Sequence, residues 1–285
     1  MKNKFVFLKY FSIIIISLIL ITNFYINIEN VESKENENKK NFLNNFIVGL
    51  KVKFIDKRPI LFKQPNINPP EDGYPIVFLF HGATQHAFSW FIGFNKWSRT
   101  QISFTKDILE NGFFVVSFES KRPIRPGPRA WDAFEEDETI NTDIIYTKNV
   151  ISWLDNSTLS VDCDNIFCAG FSSGAFFCSR LAQSYGYSFK GVILNSGCNV
   201  NCINLTNMGP VFNCSKGFNI SSFHPPTLLV HGEKDGLVPF ECADSYYSDL
   251  LTNNIDVTTL FDENIGHIWL EKYNNDIIKW MLNKI

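Results

Sequence analysis

The polarity of the chain changes twice along its length. Residues 11–21, Phe11-Ser12-Ile13-Ile14-Ile15-Ile16-Ser17-Leu18-Ile19-Leu20-Ile21, form a dense apolar run. Apolar character then continues to Ile28, interrupted by Thr22, Asn23 and Asn27. Residues 29–45 are charged and polar without periodicity, which reads as a spacer. From residue 46 short apolar runs alternate with amphipathic segments of helix length. Phe46–Phe54 and Ile60–Phe62 predict an opening hairpin. Ile76–Phe80, Phe113–Phe118, Asn165–Ala169, Gly191–Leu194, Thr227–Val230 and Val257–Phe261 predict strands. Several of these are apolar on both faces, the pattern of a strand covered on each side. Helices are predicted over Trp97–Glu110, Thr139–Leu154, Ala175–Tyr185, Glu241–Asn253 and Trp269–Ile285. This β-α alternation implies an α/β fold, with a mostly parallel sheet of about eight strands covered by helices on both faces. Residues 120–136, with Pro123, Pro126, Gly127 and Pro128, read as a long loop. Residues 198–224 read as an irregular insertion containing cysteines.

Composition narrows the possibilities. A chain of 285 residues that is 45% hydrophobic suits one large domain, here residues 46–285. An aromatic share of 15% argues against disorder, and 28 Gly plus Pro against a collagen-like or low-complexity chain. A net charge of −3 lacks the basic face that nucleic acid requires, so no nucleic-acid partner is expected.

The amino terminus suggests a destination. Lys2, Lys4 and Lys9 precede the apolar run, as in a secretory signal peptide over residues 1–28. No A-x-A-like cleavage site is visible, and the apolar stretch nearly reaches the roughly 20 residues that span a bilayer. An uncleaved signal anchor, attaching the chain to a membrane through residues 10–28, is therefore the alternative. Both readings put the domain in a secreted, lumenal or extracellular setting.

That setting permits disulfides. All seven cysteines lie between Cys163 and Cys242. Cys168 and Cys178 fall in a strand and a helix and read as buried thiols. Cys163, Cys198, Cys202, Cys214 and Cys242 read as loop or cap residues, with one or two bridges expected among them and no readable connectivity. No CxxC pair or Cys/His spacing points to zinc, so no structural metal is expected. Sequons occur at Asn156, Asn204, Asn213 and Asn219, at positions compatible with surface loops and glycosylation.

The candidate chemistry centres on Gly170-Phe171-Ser172-Ser173-Gly174, a G-x-S-x-G between a predicted buried strand and a helix. Such a strand-to-helix turn exposes a nucleophilic hydroxyl, and small residues on either side relieve its crowding. A serine needs a base, and on this kind of elbow the acid follows the serine and the histidine follows the acid. His267, in Asn264-Ile265-Gly266-His267, is the histidine beyond the final candidate acid loop. The acid should lie in His231-Gly232-Glu233-Lys234-Asp235-Gly236. Asp235 is preferred and Glu233 competes with it. The oxyanion donors are expected to be the N–H of Ser173 and that of Ala83, with Thr84 as second choice. His81 precedes the nucleophile and reads as a structural hydrogen-bonding residue.

Three blocks carry a family resemblance: Phe80-His81-Gly82-Ala83-Thr84-Gln85, the stretch from Val161-Asp162 through the elbow to Arg180-Leu181-Ala182, and Pro226 to Phe240. In these the chain resembles the α/β-hydrolase family. More narrowly, it looks like the group of secreted polyhydroxybutyrate depolymerases and feruloyl or acetyl-xylan esterases. The resemblance spans about residues 70–285. It implies the α/β-hydrolase fold, the triad Ser172, Asp235 and His267, and a small or polymeric ester as substrate, with no cofactor. The chain departs from that group in the insertion 198–224 and in Ser173 and Ala175-Phe176-Phe177 of the elbow.

The expected activity is serine carboxylic-ester hydrolysis through an acyl-enzyme. Acyl transfer, thioester cleavage or peptide cleavage would use the same residues. A non-catalytic binding or adhesion domain on this fold is the alternative from another class. Phe88, Trp90, Phe91, Trp131 and Phe134 are candidate substrate-stacking aromatics. Arg122, Arg125 and Arg129 are candidate contacts for an anionic substrate, weighed against a solvated loop.

Overall fold

The structure is a computed structural model, and it describes residues 47–93, 96–121, 129–206, 209–214 and 220–285. Residues 1–28, expected to be a signal or anchor, and 29–45, expected to be a spacer, lie outside the described residues, as do Arg122 and Arg125. No helix among the described residues is long and apolar enough to cross a membrane.

Strands β1 (Lys51–Ile55) and β2 (Arg58–Lys63) form the opening hairpin. Its two-residue turn holds Asp56 and Lys57 at φ 49° and 64°, the left-handed geometry that matches strand twist. β3 (Tyr74–Phe80), α1 (Lys96–Glu110), β4 (Phe114–Phe118), α2 (Thr142–Asp155), β5 (Val161–Phe171), α3 (Ser173–Tyr185) and β6 (Gly191–Asn195) follow. A short antiparallel pair, β7 (Ile203–Thr206) and β8 (Gly209–Phe212), stands apart from the main sheet. β9 (Thr227–Gly232), α4 (Phe240–Thr252), β10 (Val257–Asp262) and α5 (Asn274–Leu282) complete the chain.

The eight-stranded sheet runs β1-β2-β4-β3-β5-β6-β9-β10. β1 and β2 are antiparallel, as are β2 and β4, and the remaining neighbours are parallel. The apolar runs explain the layering. Ile76, Val77, Phe78, Leu79 and Phe80 are all fully buried, with successive side chains pointing to opposite faces. Ile76, Phe78 and Phe80 share a core with Tyr146 and Val150 of α2, Phe177 and Leu181 of α3, and Tyr246 and Leu250 of α4. On the other face Phe167 meets Trp280 of α5, and Phe104 of α1 packs on Trp269 at 4.5 Å.

Several elements differ from the sequence expectation. β5 begins at Val161 rather than Asn165, because its polar start pairs with Tyr74 and Pro75 across a bulge. Cys163 therefore lies in a strand rather than a loop. The insertion 198–224 is not wholly irregular, since it contains the β7–β8 pair. The last helix starts at Asn274 rather than Trp269. Trp269 instead donates its indole N–H to Asn274 and stacks edge-on against Trp90.

Two buried histidines are held neutral. His81 donates from Nδ1 to the Gly82 carbonyl, and its Nε2 accepts from the Ser120 N–H. His224 donates from Nδ1 to the Pro225 carbonyl, and its Nε2 accepts from the Tyr246 hydroxyl. Burial pushes both from the ordinary histidine value down to about 4. The unfolded chain therefore binds protons before the folded one does. Stability is fully present above pH ~6.5 and is lost as pH falls toward 4, by on the order of 3 kcal/mol for each group. The thermal midpoint is expected to fall across that window. The His224→Gln variant should show a shallower fall, and an unchanged slope in calorimetry across pH 7 to 4 would contradict this assignment.

Candidate active site

Ser172 sits between the last residue of β5 and the first of α3, with φ 53° and ψ −118°. A non-glycine residue at positive φ stores strain, which persists only where the surroundings hold it. Here the Ser172 N–H donates to Asn195 O at the end of β6 (3.0 Å), and Ser172 O accepts from Ala175 N (2.8 Å) and Phe176 N (3.1 Å). The flanking glycines are a matter of space. A Cβ on Gly170 would stand 2.3 Å from the Gly174 carbonyl, and a Cβ on Gly174 would stand 2.1 Å from the Phe80 carbonyl oxygen. The first turn of α3 thus lies directly on the end of β3.

Asp235 lies in the turn between β9 and α4, with its side chain fully buried. Oδ1 accepts from Leu237 N and Val238 N, both at 2.9 Å. Oδ2 accepts from His267 Nδ1 at 2.7 Å. Burial acts to raise its pKa, but the hydrogen bonds from His267, Val238 and Leu237 outweigh it and hold the carboxyl below the usual range. Glu233, the competing acid, is exposed, and its N–H donates to Asp262 O. That bond and Lys234 N to Ile265 O (3.0 Å) tie the acid loop to the segment carrying His267. The His267 ring centroid lies 5.1 Å from that of Phe171, the residue before Ser172. The structure therefore pairs His267 with Asp235 and lays the imidazole beside the elbow.

The loop after β3 is braced from several directions. Gly82 N donates to Gln85 Oε1 (2.7 Å), and Gln85 bonds Gln101 of α1. Thr84, at φ 66°, donates its N–H to Arg129 O at 2.7 Å, so that donor is already engaged. Ser173 is the first residue of α3, where a backbone N–H has no partner within its own helix. Its hydroxyl accepts from Trp131 N (3.2 Å), and Trp131 Nε1 donates to His81 O (2.8 Å).

Sequence reasoning missed this bracing and misjudged some side chains. Arg129 is not a solvated loop cation or a free anion contact, since its guanidinium pairs with Glu119 and donates to Ser120 O. Glu119 also accepts from Ala87 N (2.8 Å) and bonds His86 (3.0 Å). Burial would raise its pKa, but these partners and the charge of Arg129 hold it below the usual range. Trp90, Phe91 and Trp131 are core residues, whereas Phe134 is exposed. No local pattern signals the Glu119–Arg129 pair, because its partners are distant in sequence. Among the described residues, one group has metal-ligating chemistry: the buried or half-buried cysteines Cys198, Cys202 and Cys214.

This geometry has relatives. No family model matches the chain. It is 24% identical over 233 residues to a poly(3-hydroxyoctanoate) depolymerase of Pseudomonas fluorescens, covering 79% of this chain and 80% of that one. Among solved structures it resembles Est1E from Butyrivibrio proteoclasticus, with TM-score 0.55 and 15% identity over 83% of this chain and 98% of the other. It also resembles MGS-M1, an α/β-hydrolase enzyme from a Medee basin deep-sea metagenome library, with TM-score 0.59, 14% identity and the same coverage. The chain has the α/β-hydrolase fold.

The crowding at the elbow makes a sharp prediction. Gly174→Ala is expected to destabilise the fold by roughly 3 kcal/mol or more, since backbone rather than a flexible side chain must give way. Gly236→Ala, where no atom lies within 4 Å of the new methyl, should leave the melting temperature nearly unchanged. Equal melting temperatures for the two variants would show that the elbow is not close-packed.

Proposed function

We propose that the chain is a serine hydrolase of carboxylic esters. The observation that carries this reading is the 2.7 Å bond from His267 Nδ1 to buried Asp235, made beside the strained Ser172 turn. A proton fixed on Nδ1 makes Nε2 the basic nitrogen of the ring. Nε2 takes the Ser172 proton as Oγ attacks the ester carbonyl. Asp235 stabilises the imidazolium without itself accepting a proton. The oxyanion is held by the N–H groups of Ser173 and Ala83, Ala83 being favoured over Thr84 because the Thr84 N–H is engaged by Arg129. Collapse of the tetrahedral intermediate expels the alcohol, which takes its proton from His267. Water, activated by the same imidazole, then clears the acyl-enzyme.

The surroundings suit an apolar acyl group or a hydroxyalkanoate polyester. Leu237, two residues past Asp235, is 63% exposed, and Phe134, three residues past Trp131, is 38% exposed. The depolymerase relative supports a polymeric ester. The basic, apolar start of the chain suits action outside the cytosol, through a cleaved signal or an anchor over residues 10–28.

The test is a p-nitrophenyl ester panel of increasing acyl length with fluorophosphonate labelling. Ser172→Ala should abolish labelling and lower kcat by roughly 10³-fold or more at unchanged melting temperature. Asp235→Asn should lower kcat by a comparable factor while KM changes little. Labelling that persists in Ser172→Ala would remove Ser172 from the role.

A further inference from the structure

Four cysteines from distant parts of the chain converge outside the site just described. Cys198 follows β6, Cys202 closes the short turn after it, Cys214 follows β8, and Cys242 lies in the first turn of α4. Cys202 and Cys214 are joined as a disulfide. The sulfurs of Cys198, Cys202 and Cys214 all lie within 4.8 Å of one another, and Cys242 Sγ lies 3.0 Å from Cys214 Sγ. Cys198 and Cys242 are buried, carry no disulfide, and both lie beside the Cys202–Cys214 bond. Cys163 lies in β5 instead, within the bulge between Asp162, which pairs with Pro75, and Ile166, which pairs with Ile76.

Two chemistries fit four converging sulfurs. A metal tetrathiolate would place two net negative charges in a region that packs with Ala175, Phe176 and Val200. Burying such charge in an apolar core is costly. A pair of disulfides is neutral and apolar. One bond already occupies two of the four sulfurs, and the two that remain flank it.

We propose that Cys198 and Cys242 form a second disulfide, which staples the exit of β6 to the start of α4. It rests on the reading that the domain matures in an oxidising compartment. The step is thiol–disulfide exchange: the two thiols and one disulfide of a small or protein oxidant give the Cys198–Cys242 bond and two thiols on the oxidant. The staple has a bearing on the active site. Cys198 lies three residues after Asn195, whose carbonyl anchors Ser172, and Cys242 lies seven residues after Asp235. The bond therefore ties the strand end that holds the nucleophile to the helix that closes the acid loop.

The experiment maps disulfides in the full chain made in a disulfide-permissive host. A matched sample is incubated natively in a glutathione–glutathione disulfide buffer. Free thiols are capped under denaturing conditions, and unreduced digests are read by mass spectrometry. The expected result is linked Cys198–Cys242 and Cys202–Cys214 peptides, with Cys163, Cys168 and Cys178 capped. A link only in the buffer-treated sample supports the staple and counts against the compartment reading alone. Capped Cys198 and Cys242 in both samples, a Cys214–Cys242 link, or one zinc per chain by plasma mass spectrometry would each overturn the proposal. Cys198→Ala and Cys242→Ala should each lower the melting temperature by roughly 5–15 °C, and the double variant by little more than either. Additive losses would mean that the two thiols act separately. Ser172 labelling of the same samples reports the hydrolase reading separately, since the fluorophosphonate reads the serine and the peptide map reads the sulfurs.

Discussion

The arrangement depends on backbone crowding at the junction of β5 and α3. Ser172 is held at positive φ, and the residues two positions either side have no room for a Cβ. Such a turn costs on the order of 1–3 kcal/mol and needs neighbours that enforce it. Register supplies them. Phe80 pairs with Gly170 and Phe171 with Asn195, so β3, β5 and β6 end nearly level. The Phe80 carbonyl then meets α3, and the Asn195 carbonyl takes the Ser172 N–H. A slip of one residue in either pairing would remove one of these supports and exchange the side chains that face the two helix layers.

The segment after β4 adds a second layer of constraint. Arg129 and Glu119 form an ion pair in a mostly buried setting, and Arg58 and Asp143 form another. Such pairs contribute little net stability once desolvation is counted. Their effect here is directional. Asp143 accepts from Asp132 N (2.8 Å), while Arg58 stacks 3.7 Å over Tyr146. Glu119 fixes the backbone of Ala87, and the Arg129 carbonyl fixes Thr84. Trp131, carried on the same segment, links Ser173 to His81. The loop after β3 and the start of α3 are thereby held in one frame, which the proposed oxyanion site would need for electrostatic preorganisation.

Much of this was legible in the sequence where local chemistry and function coincide. The strands buried on both faces announced themselves as apolar runs, and the elbow did so because only glycine fits beside it. Chain order singled out His267 and Asp235 as candidates, and the two side chains meet at 2.7 Å. What escaped has a common cause. The β7–β8 pair is short, with no apolar period to mark it, and it depends on the Cys202–Cys214 bond and on Asn213 N donating to Cys202 O (2.7 Å). Trp269 precedes the turn Glu271–Tyr273 and the last helix but stands outside both, packed against Trp90 and Phe104. The polar start of β5 pairs as a strand only because β3 lies beside it. Glu119, Arg129 and Trp131 act on residues some 9 to 50 positions away in sequence, so only the assembled sheet shows their partners.

The electrostatics of Asp235 show why the acid loop must be rigid. A buried carboxyl drifts toward its neutral form unless donors compensate, and a neutral acid would no longer stabilise a charged imidazole. Two backbone N–H groups, from Leu237 and Val238, aim at one oxygen, and His267 takes the other. His231 adds a second brace, donating from Nε2 to Val238 O (3.0 Å) on the same loop. If residues 235–238 frayed, the carboxyl would lose its donors and the imidazole its orientation in a single event. The backbone bonds to the 262–265 segment on one side and α4 on the other oppose that fraying. The scaffold of Asp235, and not its carboxylate alone, thus sets the orientation in which His267 is held.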